Sequence, residues 1–386
     1  VNPIASFAAS VRGVDLQQRL SNALEPLIEE AIRIQQLPAP TFAEEQRARY
    51  VQQQFQASGL ADVSIDALFN VYGRLPGRAL AAPALLVSAH TDTVFPADTD
   101  LTATRDALKI NAPGIGDNSL GVAALLCLMR LLRPLALHTD VWFVANTREE
   151  GLGDLGGIRA AVDRLHAQIG ACIVLEGMAY GQIYHAGIAV RRLRISTQAA
   201  GGHSWLHYGQ PSAIHSLVRF AAKLTELAPP QQPRTTYNIG LIEGGRSVNS
   251  IATEANLTLD MRSEDSGALA ALEANVMHAL EVCQAADKDV QFKVEVVGDR
   301  PAGSLPISHP LVRAAKDALE VTKMQPVFHM GSTDANLPLA RGIPAVTIGI
   351  TTGGNAHRTD EYIDLAPIPR GMWQLILLAL SASDSL

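Results

Sequence analysis

The segment Ala84-Leu-Leu-Val-Ser-Ala-His-Thr-Asp92 decides the architecture. Residues 84–89 are small or apolar throughout, and the run closes on His90-x-Asp92. Such a run reads as a short buried strand. A histidine just past it stands where open α/β sheets bind ligands, beyond the carboxyl ends of strands. Outward from this strand the pattern repeats. Residues 119–132 read as a helix, 141–145 as a strand, 155–166 as a helix and 171–175 as a strand. This alternation predicts a mainly parallel sheet covered by helices. Two helices precede it, at about 16–35 and 42–59, and Thr41-x-x-Glu44 has the pattern of a capping box at the start of the second.

The order changes near residue 186. A strand at 190–198, a helix at 211–227, strands at 235–241 and 255–261, a helix at 266–286 and a strand at 290–297 follow. That is the β-α-β-β-α-β order of a ferredoxin-like α+β unit. A helix at 310–321, a strand at 345–350 and a helix at 369–381 then resume the first pattern. The reading is an α/β catalytic domain in two parts, 1–185 and 299–386, with a smaller domain, 186–298, inserted.

A chain of 386 residues with 47% hydrophobic content can bury a core of this size. A net charge of -7 gives no footprint for nucleic acid. No basic amphipathic stretch points to a membrane surface, and apolar runs such as 121–132 read as core helices. The sequence does not open on a cationic segment followed by an apolar one, so no leader is expected. Cys127, Cys172 and Cys283 are widely spaced and odd in number. They fit packing roles in a reducing compartment, and the expected location is cytoplasmic.

The chemistry-bearing residues share one placement. His90 follows the strand 84–89, Glu149 and Glu150 follow 141–145, Glu176 follows 171–175, and His357 lies in a Gly-rich loop after 345–350. Asp117 lies in the tight loop before the helix 119–132. Alone, a His is an ordinary core or surface residue, an Asp before a helix is a cap, and a Glu pair is a solvated face. Gathered at one sheet edge, two imidazoles and several carboxylates suit two divalent metal ions, zinc above all, and a paired-metal site can activate water for hydrolysis.

The chain resembles the M20 family of zinc peptidases, which includes glutamate carboxypeptidase, peptidase T, succinyl-diaminopimelate desuccinylase and aminoacylases. The resemblance rests on Ser88-Ala-His-Thr-Asp-Thr-Val-Phe-Pro96, Gly116-Asp-Asn-Ser-Leu-Gly121, Thr147-Arg-Glu-Glu-Gly151, Leu175-Glu-Gly177, Gly201-Gly-His-Ser204, Gly331-Ser-Thr-Asp-Ala335 and Gly354-Asn-Ala-His357, in the family's order. It implies that His90 and Glu176 hold one zinc, Glu150 and His357 the other, and Asp117 both, with a cis Asp117–Asn118 bond. Co2+ or Mn2+ could take the same places. It further implies that Glu149 is the general base and that Asp92 orients His90. The inserted domain is then a lid and dimerisation domain, and a homodimer is expected. His203 is the lid histidine that reaches the reacting carbonyl. Asn249 and Arg262 contact a substrate carboxylate. Two features depart from the family: no Lys follows Asp117 closely, and no Pro follows Ile251.

Other uses of these residues stay open. Arg262 offers two parallel donors to a carboxylate but has Asp260 and Glu264 as neighbours. Asn249 could serve a turn. His203 could be a solvated loop residue. Thr333-Asp334 suits local loop hydrogen bonds, and Gly353-Gly354 either admits substrate close to the backbone at Gly354 or turns the chain. The expected activity is cleavage of an amide next to a free terminus, carboxypeptidase-like, on short peptides or acyl-amino acids. An N-acyl-amino-acid deacylase, a peptidase T-like aminopeptidase and, more distantly, a non-catalytic metal-binding module are the rivals.

Overall fold

Four parallel strands run side by side through the larger sheet, in the spatial order Val141–Asn146, Ala84–His90, Ile169–Glu176 and Ala345–Gly349. The computed structural model describes residues 2–79 and 82–384. Every residue of Val141–Asn146, Ala84–His90 and Ala345–Gly349 is buried, which is why these segments are apolar without alternation. One face of the sheet packs against residues of the helices Val11–Gln35, Leu120–Leu132, Pro310–Val321 and Ile368–Ala382. The other packs against Gly156–Leu165 and Asn336–Ala340. The sheet is thus a mixed α/β arrangement with a mainly parallel centre. Because the four strands are parallel, His90, the segment after Asn146, Glu176 and the segment after Gly349 all emerge at one edge.

The flanks join the parallel centre through antiparallel pairs and were not read from the sequence. Val71–Leu75 pairs with Val141–Asn146 and carries Ala61–Ile65 beyond it. On the other side Gln182–Gly187 pairs antiparallel with Ala345–Gly349 and carries Val327–Gly331. These strands are short and of mixed polarity, and Val71–Leu75 contains Gly73, where a Cβ would lie 2.6 Å from Leu60 Cδ1.

The chain divides into two compact units, 1–187 with 303–386 and 188–302. The sequence placed the divisions at 185/186 and 298/299. The outer shift has a cause: Gln182–Gly187 completes the larger sheet, and Gln291–Arg300 runs on to 300. Positions 1 and 386, which bound the expected segments, lie outside the described residues. The second unit is a four-stranded antiparallel sheet in the order Thr235–Gly244, Glu254–Ser263, Ala189–Gln198, Gln291–Arg300. Ala213–Leu224 and Ser266–Ala286 cover its apolar face and share its core with Leu257, Leu259 and Met261. That strand order is the one a split β-α-β motif produces.

Two local expectations change. The helix after Thr41 starts at Glu45, and its Glu44 N-cap makes no side-chain cap bond. Instead the Glu44 carboxylate accepts the N–H groups of Phe42 at 2.9 Å and Arg148 at 3.3 Å, and the Thr41 hydroxyl turns to Asp92. The apolar run at 121–132 extends back through the turn at 115–119, and Ile115–Leu132 together is long and apolar enough to cross a membrane by composition, but 89% of it is buried inside the protein. Cys127, Cys172 and Cys283 are free and buried.

Candidate metal centre

The strand Ala84–His90 delivers the His90 imidazole to the sheet edge, almost wholly buried. Its Nδ1 lies 3.1 Å from the main-chain carbonyl of Asp92. A carbonyl only accepts, so Nδ1 carries a hydrogen, which leaves Nε2 as the nitrogen that could take a metal ion. That Nε2 lies 3.1 Å from Asp117 Oδ1 and 3.8 Å from Glu176 Oε2. On the other side of Asp117, His357 Nε2 is 3.1 Å from Oδ2 and 3.2 Å from Glu150 Oε1. Two groups result, His90–Asp117–Glu176 and Asp117–Glu150–His357, each with ligand atoms within 4.8 Å of one another. Asp117 belongs to both, one oxygen toward each imidazole.

Each ligand is placed by a local device. Asp117 sits in the turn Ile115–Ser119, and its peptide bond to Asn118 is cis. The Asn118 amide donates to Leu175 O at 2.8 Å and accepts from Gly177 N at 3.0 Å, so it ties this turn to the strand end that bears Glu176. Arg148 and His357 both have positive φ, 57° and 65°. L-residues hold that conformation at a cost of about 1–2 kcal/mol, so surrounding contacts must enforce it.

The Asp92 carboxylate lies 3.6 Å from His90 Nδ1, on the side where it is expected to hold the ring. The main-chain carbonyl makes the closer contact. The carboxylate accepts the Glu149 N–H at 2.9 Å through Oδ1, and the Glu150 N–H at 3.0 Å and Thr41 hydroxyl at 2.9 Å through Oδ2. It fixes the backbone of the Glu-Glu pair, and both glutamates are buried. Sequence reasoning had no signal for Thr41 in this role. It also missed Glu361, a buried carboxylate that accepts N–H groups from the Asp117 turn.

The site is rich in negative charge. Burial opposes a charge on His90, yet Asp117, Asp92 and Glu176 outweigh it and hold its pKa well above the ordinary value. Asp117 and Glu150 push His357 up to about 10. Burial tends to raise the Asp117 pKa, but His357 and His90 hold it below the usual carboxylate range. Burial, with Asp117 and Glu150 as neighbours, raises Glu176 against the pull of His90. Imidazole nitrogen and carboxylate oxygen are the donors zinc takes. Two dications would offset the four carboxylates of Asp117, Glu150, Glu176 and Glu149, with the Asp92 carboxylate beside His90 in addition. The residues therefore fit a pair of divalent metals.

The remaining candidates lie as follows. Gly353-Gly354 pairs with Tyr362 and Ile363, and a Cβ on Gly354 would lie 3.0 Å from the Tyr362 ring, which would have to yield by a few tenths of an ångström. Thr333 Oγ1 meets Thr347 Oγ1 at 2.9 Å and Asp334 accepts from Asn146 at 2.7 Å, which are loop-fixing bonds. Burial raises Asp334 to about 7. In the second unit, Arg262 Nε contacts Asp260 at 2.7 Å, the ion pair its neighbours allowed, and the side chain is 43% exposed. Asn249 accepts from Ser247 Oγ at 3.0 Å through its side chain and from Ser204 N at 3.1 Å through its carbonyl. His203 is exposed, with Nδ1 accepting from Trp205 N at 3.2 Å and Leu206 N at 3.4 Å. Those donors fix its neutral form as Nε2–H, a hydrogen-bond donor.

Comparison with known proteins adds the following. The model of "Peptidase family M20/M25/M40" matches residues 86–380. The chain is 28% identical over 207 residues to a "Probable carboxypeptidase" of Aspergillus terreus, across 50% of this chain and 48% of that one. Aminopeptidase PepT of Bacillus cereus shares its fold at TM-score 0.74 and 22% identity, covering 93% of this chain and 98% of that one. YxeP of Bacillus subtilis, described as "a Dinuclear Metal Binding Peptidase from M20 Family", does so at TM-score 0.69 and 17% identity, covering 95% and 100%.

Proposed function

The chain belongs to peptidase family M20/M25/M40 and is a hydrolytic enzyme; from that premise we propose that it is a two-zinc exopeptidase that cleaves the amide next to a free terminal carboxylate in short peptides or acyl-amino acids. The observation that carries this reading is the shared carboxylate, Asp117 between His90 and His357, with Glu149 beside a ligand. The likeness to YxeP supports two metals, and that to the Aspergillus protein supports carboxypeptidase action. The fold shared with PepT keeps an aminopeptidase as the second reading.

His90 and Glu176 would hold one ion, Glu150 and His357 the other, and Asp117 both. Bound there, the pair supplies Lewis acidity that makes water nucleophilic near neutral pH. Glu149 takes a proton from the attacking water as the C–O bond forms and the carbonyl oxygen gains charge, then returns it to the departing nitrogen as the C–N bond breaks, which regenerates the Glu149 carboxylate. Asp92 holds the Glu149 and Glu150 amides, so that one side chain serves as ligand and its neighbour stays free for protons. The second unit acts as lid and dimerisation surface. There His203, as its Nε2–H form, donates to the developing oxyanion. Arg262, reinforced by Asp260, and Asn249 receive the substrate carboxylate. The enzyme works in the cytoplasm as a homodimer.

A substrate panel tests this. Zinc-loaded protein is offered dipeptides, acetyl-amino acids and tripeptides, the last with free or amidated carboxyl ends. Cleavage that requires the free carboxylate supports the proposal. Cleavage of amidated tripeptides at their amino end moves the assignment to aminopeptidase, and a preference for acetyl-amino acids over peptides moves it to deacylase.

A further inference from the structure

Glu361 follows His357 by one short loop and directly precedes the strand Tyr362–Asp364. Its side chain is fully buried. Oε1 accepts N–H groups from Gly116 at 2.7 Å and Asp117 at 2.9 Å, and Oε2 accepts from Gly114 at 3.3 Å. Three main-chain donors converging on one carboxylate form a nest of the kind that binds anions. Gly114, at φ 71°, supplies the left-handed residue that turns these donors inward. The main chain of Glu361 contributes as well: its carbonyl accepts Ala112 N–H at 2.9 Å. Tyr362–Asp364 then continues the contact as a strand paired with Lys109–Asn111. One residue therefore fastens the segment that carries Asp117 to the segment that carries His357.

We propose that Glu361 is a positioning residue of the two-metal centre, a buried acceptor whose two oxygens hold the Asp117 turn and so set the shared ligand Asp117 against His357. This inference rests on the two-metal reading above. The geometry separates it from an ordinary structural carboxylate. A buried acid that only stabilised the fold would have no reason to accept the N–H of the shared ligand itself. Here it binds that N–H and two others in the same turn. Partners that orient ligands in this way change metal affinity by about 10–100-fold when they are lost. Glutamine at 361 keeps the shape but turns an N–H2 group toward main-chain donors on one side. Alanine empties the nest and leaves room for a small external anion.

The test is a zinc titration of metal-free, full-length protein, with thermal unfolding of the metal-free form as a second readout. Wild type, Glu361→Gln and Glu361→Ala are compared, the last with and without formate. The expected result is two ions on wild type, affinity about 10–100-fold weaker in both variants, and partial recovery of Glu361→Ala by formate. A wild type that takes up no pair of ions sinks the two-metal reading, and this inference with it. A wild type that binds two ions, beside variants that bind them equally well, overturns the role of Glu361 alone. So does a loss of affinity that formate leaves untouched and that tracks loss of the metal-free fold.

Discussion

Asp92 gives both carboxylate oxygens to the backbone of the Glu149-Glu150 pair and to Thr41, while its main-chain carbonyl steers His90. One residue therefore sets a candidate metal ligand, the neighbouring acid and an imidazole together. Replacement Asp92→Asn puts an N–H2 group against N–H or O–H donors in a fully buried place. Such an unmet buried donor costs about 1–3 kcal/mol, and the disturbed ligands should lose about 10–100-fold in zinc affinity. Denaturant unfolding and zinc titration read the two effects separately. Glu149→Gln should behave differently. Metal binding stays, while turnover falls about a hundredfold or more, since only the proton carrier is lost. Near-normal turnover would remove Glu149 from that role. Arg262→Ala should weaken carboxylate-bearing substrates far more than their amides, measured as KM for matched pairs; equal loss would leave Arg262 only its ion pair with Asp260. Among these residues, the ligand candidates were legible because each follows a buried strand or a tight Gly-flanked loop. What Asp92 and Glu361 bind was not. Their partners are main-chain N–H groups, which every sequence has, and only the path of a loop decides which ones converge.

Among the elements, Leu120–Leu132 carries a glycine whose reason lies outside the helix. A Cβ on Gly121 would sit 1.9 Å from Asn118 Oδ1, in the amide that joins the Asp117 turn to Leu175 and Gly177. In a helix Ala normally exceeds Gly in stability by about 1 kcal/mol. Here Gly121→Ala should destabilise the protein and weaken zinc binding, because Asn118 must leave its place. Unfolding in urea checks the sign, and a stabilised variant would show that the Asn118 bridge yields freely. Some elements were readable to the residue: Pro310–Val321 starts at its proline and has a clear apolar face, and Ser266–Ala286 starts directly after Asp265, whose side chain caps it. The flanking strands escaped because their polarity is mixed and their pairing partners lie far along the chain. Val327–Gly331, for example, has an exposed or half-exposed pattern throughout and is a strand only by virtue of Gln182–Gly187 beside it.

At the level of the whole molecule, the two compact units have separate hydrophobic cores. All the proposed metal ligands belong to the first, so ions bound there stabilise that unit by mass action. At a hundred times the dissociation constant the gain is about 2.7 kcal/mol. Calorimetry should show a chelator lowering the melting of the larger unit while any separate transition of 188–302 holds still. Movement of both transitions together would mean that the units unfold as one. Asp117 and His357, which meet at 3.1 Å, are 240 positions apart along the chain. An unfinished polypeptide leaving the ribosome thus holds His90 and Asp117 long before His357 exists. On the proposed reading, the second ion site stays incomplete until the loop beyond Ala345–Gly349 has been made, and the first ion alone could be held before then.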